Sequence, residues 1–124
     1  MASRAAFVGG DFFKAVPGGA DLYLMKSILH DWSDADCLRI LATTRQAMSP
    51  SARLVVIEDL VCGPNQPCAA KQRDVNMLVR AGGRNRTETE YRAVLSHGGF
   101  RTTRVLPTAS TGFLIEALPN HQRP

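Results

Sequence analysis

DLYLMKSILHDWSD, residues 21–34, decides how the chain is read. Leu22, Tyr23, Leu24 and Met25 form a short apolar run introduced by Pro17, Gly18 and Gly19, the pattern of a buried strand entered from a turn. The chain continues through Lys26, Ser27, Ile28 and Leu29 into His30, Asp31 and Trp32. Ser33 is a good helix N-cap, and Asp36 three places on gives a capping-box-like pair. A strand that runs into a loop and then a helix is where open α/β sheets place their working groups. His30 sits in that loop, beside a carboxylate and the only Trp of the chain. Two readings of it stand at this point. One is a capping or packing histidine at a helix entrance; the other is a base whose pKa lies near neutrality.

Outward from this stretch, residues 34–48 read as a helix. Leu38, Leu41 and Met48, with Ile40 and Ala47 beside them, make its apolar stripe, and Ser49, Pro50 and Ser51 stop it. RLVVIE, residues 53–58, is a second strand, continuous rather than alternating, as expected when both faces are covered. Towards the N-terminus, Ala5, Ala6, Phe7 and Val8 read as a strand end closed by Gly9 and Gly10. Beyond the second strand lies a turn-rich loop at 62–67, then a helix over 69–81 with Val75, Met77, Leu78 and Val79 for burial. Thr87 caps a further helix, with Glu90 completing a T-x-x-E capping box and Tyr91, Val94 and Leu95 facing inward. Gly98 and Gly99 end it. Residues 100–107 and 112–118 are two closing strands, an antiparallel pair, and 119–124 is a frayed polar tail. The order predicts an α/β layered domain with a mainly parallel sheet.

At 124 residues the chain holds one small domain. Its formal net charge is +4, with a local excess of positive residues from Lys71 to Arg104 but no tight basic run. That is the charge of a solvated surface, with room for an anionic ligand, rather than of a nucleic-acid footprint. Cys37, Cys62 and Cys68 are odd in number and form no C-x-x-C pair, so reduced thiols are expected. No signal peptide or membrane-spanning run is present in the sequence, which places the expected setting in the cytoplasm. The carboxylates are not clustered at ligand spacing, and no metal is expected.

GGDFFKAVPGGADLYLMKSILHDWSD, then LVVIEDLV, then RDVNMLVRAGGRNRTETEYRAVLSHGGF, follow one another in the order found in a known family. Together they resemble the small-molecule O-methyltransferases of the caffeate, hydroxyindole and bacterial polyketide type, which use S-adenosylmethionine. The resemblance covers about residues 8–118. It implies a Rossmann-like (class I methyltransferase) sheet, of which this chain carries the C-terminal half. The family's N-terminal helical dimerisation domain, which makes its members homodimers, is not matched. Nor are its glycine-rich loop after the first cofactor strand and the acid after the second. In such a fold the strand at 22–25 lies beside a strand not matched here, and would be an apolar edge.

The resemblance also implies roles. Removing the proton of a hydroxyl needs a base, and the family's catalytic His falls on His30 in the LHDW block. An acid flanking that His falls on Glu58, whose plainer reading is a strand-end surface carboxylate. The family's second flanking acid falls on Asn85, where an amide can accept a hydrogen bond but cannot stabilise an imidazolium by charge. Asp11 and Phe12 match the block that meets the adenine, although Asp after two glycines is also a plain turn residue. Lys26, Asp31 and Trp32 match positions near the cofactor; Asp31 can equally serve as a helix cap. Asp74 and Met77 match the helix that lines the acceptor pocket, where a Met suits a flat aromatic molecule or simply a core. The family acts without a metal. The expected activity is methyl transfer from S-adenosylmethionine to a hydroxyl of a small aromatic metabolite. The alternatives are a truncated, non-catalytic remnant and a basic module for an acidic partner.

Overall fold

β1 (Leu22–Lys26) and β2 (Arg53–Glu58) run parallel, with Leu22 opposite Arg53 and Lys26 opposite Ile57, and α1 (Asp34–Ala47) connects them. The computed structural model describes residues 5–60, 86–109 and 112–120. After β2 the described chain resumes before α2 (Glu88–His97), followed by β3 (Phe100–Pro107) and β4 (Phe113–Pro119). The sheet order is β1-β2-β4-β3, with β4 antiparallel to both its neighbours.

The helices begin where their side chains satisfy the first free N–H groups. The Ser33 hydroxyl accepts from the Asp36 N–H at the start of α1. Asp36 does not return the bond; its carboxylate lies 3.4 Å from Arg39 instead. At α2 the box is complete: Glu90 N–H donates to Thr87 Oγ1 at 3.1 Å, and Thr87 N–H to Glu90 Oε1 at 2.9 Å.

Caps set the ends, but burial holds the layers together. Ile40 and Leu41 of α1, Tyr91 and Leu95 of α2, Leu54 and Val56 of β2, Phe100 of β3 and Ile115 of β4 are all inaccessible to solvent. Each large apolar side chain contributes roughly 1.5–3 kcal/mol by leaving water. That exceeds the ~1 kcal/mol of a single cap. At the end of α2, a Cβ on Gly98 would stand 2.7 Å from Leu41 Cδ1, so glycine lets the two helices close on each other. Gly99 follows at φ +94°, a left-handed turn into β3.

The α/β class and the closing antiparallel pair are as expected. The sheet is mixed rather than mainly parallel, because β4 inserts between β2 and β3 and only the β1–β2 pairing is parallel among the described residues. Residues 5–8 form no strand: they have no alternation, no described strand pairs with them, and Phe7 is fully exposed. Among the described residues β1 is the edge expected of it. Tyr23 and Met25 face the core, while Leu22 and Leu24 are 55% and 61% exposed. The expected loop at 62–67 and helix at 69–81, with Asp74, Met77 and Asn85, lie outside the described residues.

Candidate active site

β1 ends at Lys26, and the chain turns at once. Ser27 takes φ +57°, uncommon for a residue with a side chain, while its N–H donates to Ile57 O at 3.0 Å. A short 3-10 turn, Leu29–Asp31, follows. Leu29 is its buried anchor. This path carries His30 to the C-terminal end of β2, where Glu58 closes the neighbouring strand.

His30 Nδ1 lies 3.1 Å from Glu58 Oε1, and the His30 backbone N–H donates to Glu58 Oε2 at 3.4 Å. The plain reading of Glu58 as a surface acid is therefore overturned, since its side chain is fully buried. The Nδ1–Oε1 approach is close but off-line, and Oε1 has no well-aligned donor among the described residues. Beyond the ring, Nε2 lies 3.3 Å from Asp31 Oδ1. Asp31 thus pairs with the histidine, and Ser33, not Asp31, caps α1. The Glu58 carboxylate beside the ring raises the His30 pKa above its ordinary value. Partial burial opposes this, and the charges of Glu58, Asp31 and Asp59 add to the rise.

A second cluster lies along the same turn. Trp32 meets Phe12 and Phe13 edge-on, with ring centroids 6.0 and 4.9 Å apart. Asp11 opens the Phe12–Phe13 turn, its Oδ1 accepting the Phe13 N–H at 2.9 Å. The turn-residue reading of Asp11 is therefore correct, and compatible with a second use, because Asp11 is exposed. A cleft of about 310 Å³ opens between Gly10, Asp11, Phe12, Phe13 and Trp32, and one of about 470 Å³ follows the loop from Val8 to Pro17. A carboxylate acceptor beside aromatic walls fits a flat, amine-bearing ring such as adenine. Lys26 is exposed at the end of β1. His30 lines neither cleft; its ring is 18% exposed.

Arg86 carries no local sequence signal of a site role. Its side chain is wholly buried. Nε donates to Asp34 Oδ1 at 2.9 Å, Nη1 to Leu29 O at 3.1 Å and Nη2 to Trp32 O at 2.9 Å. The guanidinium also lies over the Tyr91 ring, 5.6 Å from its centroid. A buried charge persists only when paired and hydrogen-bonded, as this one is. The thiol of Cys37, also buried, points at the Leu29 carbonyl from α1, 3.3 Å away. Among the described residues no group of His, Cys, Asp and Glu could hold a metal ion, and no helix is long and apolar enough to cross a membrane.

Comparison with known proteins shows the family and the fold. Residues 1–101 match the family model of the O-methyltransferase domain, and the chain belongs to that family. It is 53% identical to the O-demethylpuromycin-O-methyltransferase of Streptomyces alboniger, over 96% of this chain and 33% of that protein. Among solved structures it resembles the mitomycin 7-O-methyltransferase MmcR at a TM-score of 0.89 and 40% identity, over 95% of this chain and 35% of that one. It also resembles the neocarzinostatin-biosynthesis O-methyltransferase NcsB1, solved with S-adenosyl-L-homocysteine and 1,4-dihydroxy-2-naphthoic acid. There the TM-score is 0.85 at 28% identity, over 95% of this chain and 35% of that one. The chain thus spans about a third of the length of these relatives.

Proposed function

We propose that this chain is the C-terminal part of an O-methyltransferase catalytic domain, extending to about residue 118, and that it methylates a hydroxyl of a small aromatic metabolite. The observation that carries the reading is the buried Glu58 carboxylate set 3.1 Å from His30 Nδ1 at the paired ends of β1 and β2. S-adenosylmethionine, when bound, supplies the methyl group from its sulfonium. His30 Nε2 takes the proton of the acceptor hydroxyl, which enters where Asp31 Oδ1 now sits. Glu58 holds the ring and offsets the charge of the imidazolium as it forms.

Asp11, Phe12 and Trp32 hold the adenine in this reading, with Lys26 and Asp31 nearer the reacting end. By the family resemblance alone, Asp74 and Met77 are assigned to the acceptor side and Asn85 to the position of a second acid flanking the base. The relatives' printed names and ligands support an aromatic acceptor. A homodimeric parent and a cytoplasmic setting belong to the same reading.

The exposed apolar edge of β1 favours a second reading, in which this sheet works only as part of a larger one. Calorimetric titration with S-adenosylmethionine separates the two. Saturable heat from the 124-residue chain supports a working site. No binding, with turnover returning in a longer parent chain, supports the remnant.

A further inference from the structure

Glu58 holds the His30 ring from one side, but a ring is only as well placed as the backbone beneath it. We propose that Arg86 is a positioning residue for His30: its buried guanidinium holds the backbone carbonyls of Leu29 and Trp32, which bracket the His30–Asp31 pair. The proposal deepens the general-base reading and rests on it.

Three observations meet here. The two bonds, at 3.1 and 2.9 Å, come from different nitrogens of one planar fork, so they fix the spacing between the carbonyls as well as their direction. The fork is itself anchored: Asp34, in the first turn of α1, holds it at 2.8 Å, and the Tyr91 ring of α2 lies against it. The Arg86 backbone pairs with Leu60 in a parallel bridge two residues beyond Glu58. The two groups that place the base, Glu58 on its ring and backbone N–H and Arg86 on the flanking Leu29 and Trp32 carbonyls, are therefore tied to one strand end. A lysine keeps the charge but has no rigid fork and cannot hold both carbonyls and Asp34 in the same geometry.

The groups facing His30 are Glu58 from β2, Asp59 just beyond it and Asp31 from its own turn, with Arg86 behind the turn. A pure charge effect and a positioning effect of Arg86 then have opposite signs. Deleting a nearby positive charge raises the midpoint of a histidine; releasing the turn lets the ring leave Glu58 and lowers it.

The test is an NMR titration of the His30 ring in the 124-residue chain, assigned with His30→Ala and needing neither cofactor nor acceptor. In Arg86→Met and Arg86→Lys the midpoint is expected to fall towards the ordinary histidine value. A rise in Arg86→Met, or an unchanged midpoint in Arg86→Lys, overturns the proposal. Where turnover is measurable, Arg86→Lys lowers kcat; a loss confined to cofactor affinity, with kcat equal to wild type, counts against it. Should neither variant fold, the wild-type chain still decides. Slow guanidinium exchange, with couplings across to the Leu29 and Trp32 carbonyls, supports the clasp, and exchange as fast as that of exposed Arg101 refutes it. Failure of methyl transfer itself is read separately, from cofactor titration and from turnover of His30→Ala.

Discussion

His30 stands between two carboxylates, with Nδ1 3.1 Å from Glu58 Oε1 and Nε2 3.3 Å from Asp31 Oδ1. Both neighbours favour the imidazolium, and together they outweigh the partial burial of the ring. The folded-state pKa is therefore raised above the ordinary value of about 6.5. The stability this contributes is fully present below about pH 6.5 and is lost as pH rises through the folded-state pKa. Urea unfolding of wild type and His30→Ala across that window checks the sign: the stability gap narrows as pH rises. Turnover has the opposite dependence, because the neutral ring is the base, so its rate climbs as pH rises through the same pKa and levels off above it.

Glu58→Gln keeps the shape of the side chain and removes its charge. The His30 midpoint falls, because the first cause of its elevation is gone. Turnover is expected to drop about 10-fold or more, within the ~10²–10⁴ that general-base assistance is worth. Cofactor affinity should not change. Paired NMR and kinetic titrations make the check; an unmoved His30 midpoint would separate the two groups.

How much of this was legible beforehand differs from residue to residue. Ser33 and Thr87 act within three residues of themselves, so their caps could be read from spacing. The apolar run of β2 could be read for the same reason. The insertion of β4 between β2 and β3 could not, because strand order is set by pairing across the chain rather than by local pattern. Glu58 was readable only through the family resemblance; by itself a strand-end acid looks like surface. Arg86 was missed because a charged residue in GGRNRT reads as solvated. Its burial depends on Leu29, Trp32 and Asp34, which lie 57, 54 and 52 residues away in sequence.

Two substitutions probe the packing that carries the site. Thr87→Ala removes half of the α2 capping box and should cost ~1 kcal/mol. Gly98→Ala drives a methyl group to within 2.8 Å of Leu41 Cβ and should cost roughly 1–3 kcal/mol, as overpacking does. Urea midpoints at constant slope give both values. A neutral Gly98→Ala would mean that the α1–α2 contact gives way easily.

The outer position of β1 among the described strands predicts self-association. Leu24 is 61% exposed on a strand that pairs on one side only among the described residues. Leu24→Lys should lower the sedimenting oligomer fraction with a stability change within about 0.5 kcal/mol, as for surface positions generally. An oligomer fraction equal to wild type would place the contact elsewhere.

The central claim is that His30 takes the proton of the acceptor hydroxyl. The most direct measurement is the turnover of His30→Ala, in the length of chain that shows activity, alongside its affinity for S-adenosylmethionine. Turnover should fall by about 10²–10⁴ with affinity essentially unchanged. Turnover equal to wild type would contradict the account.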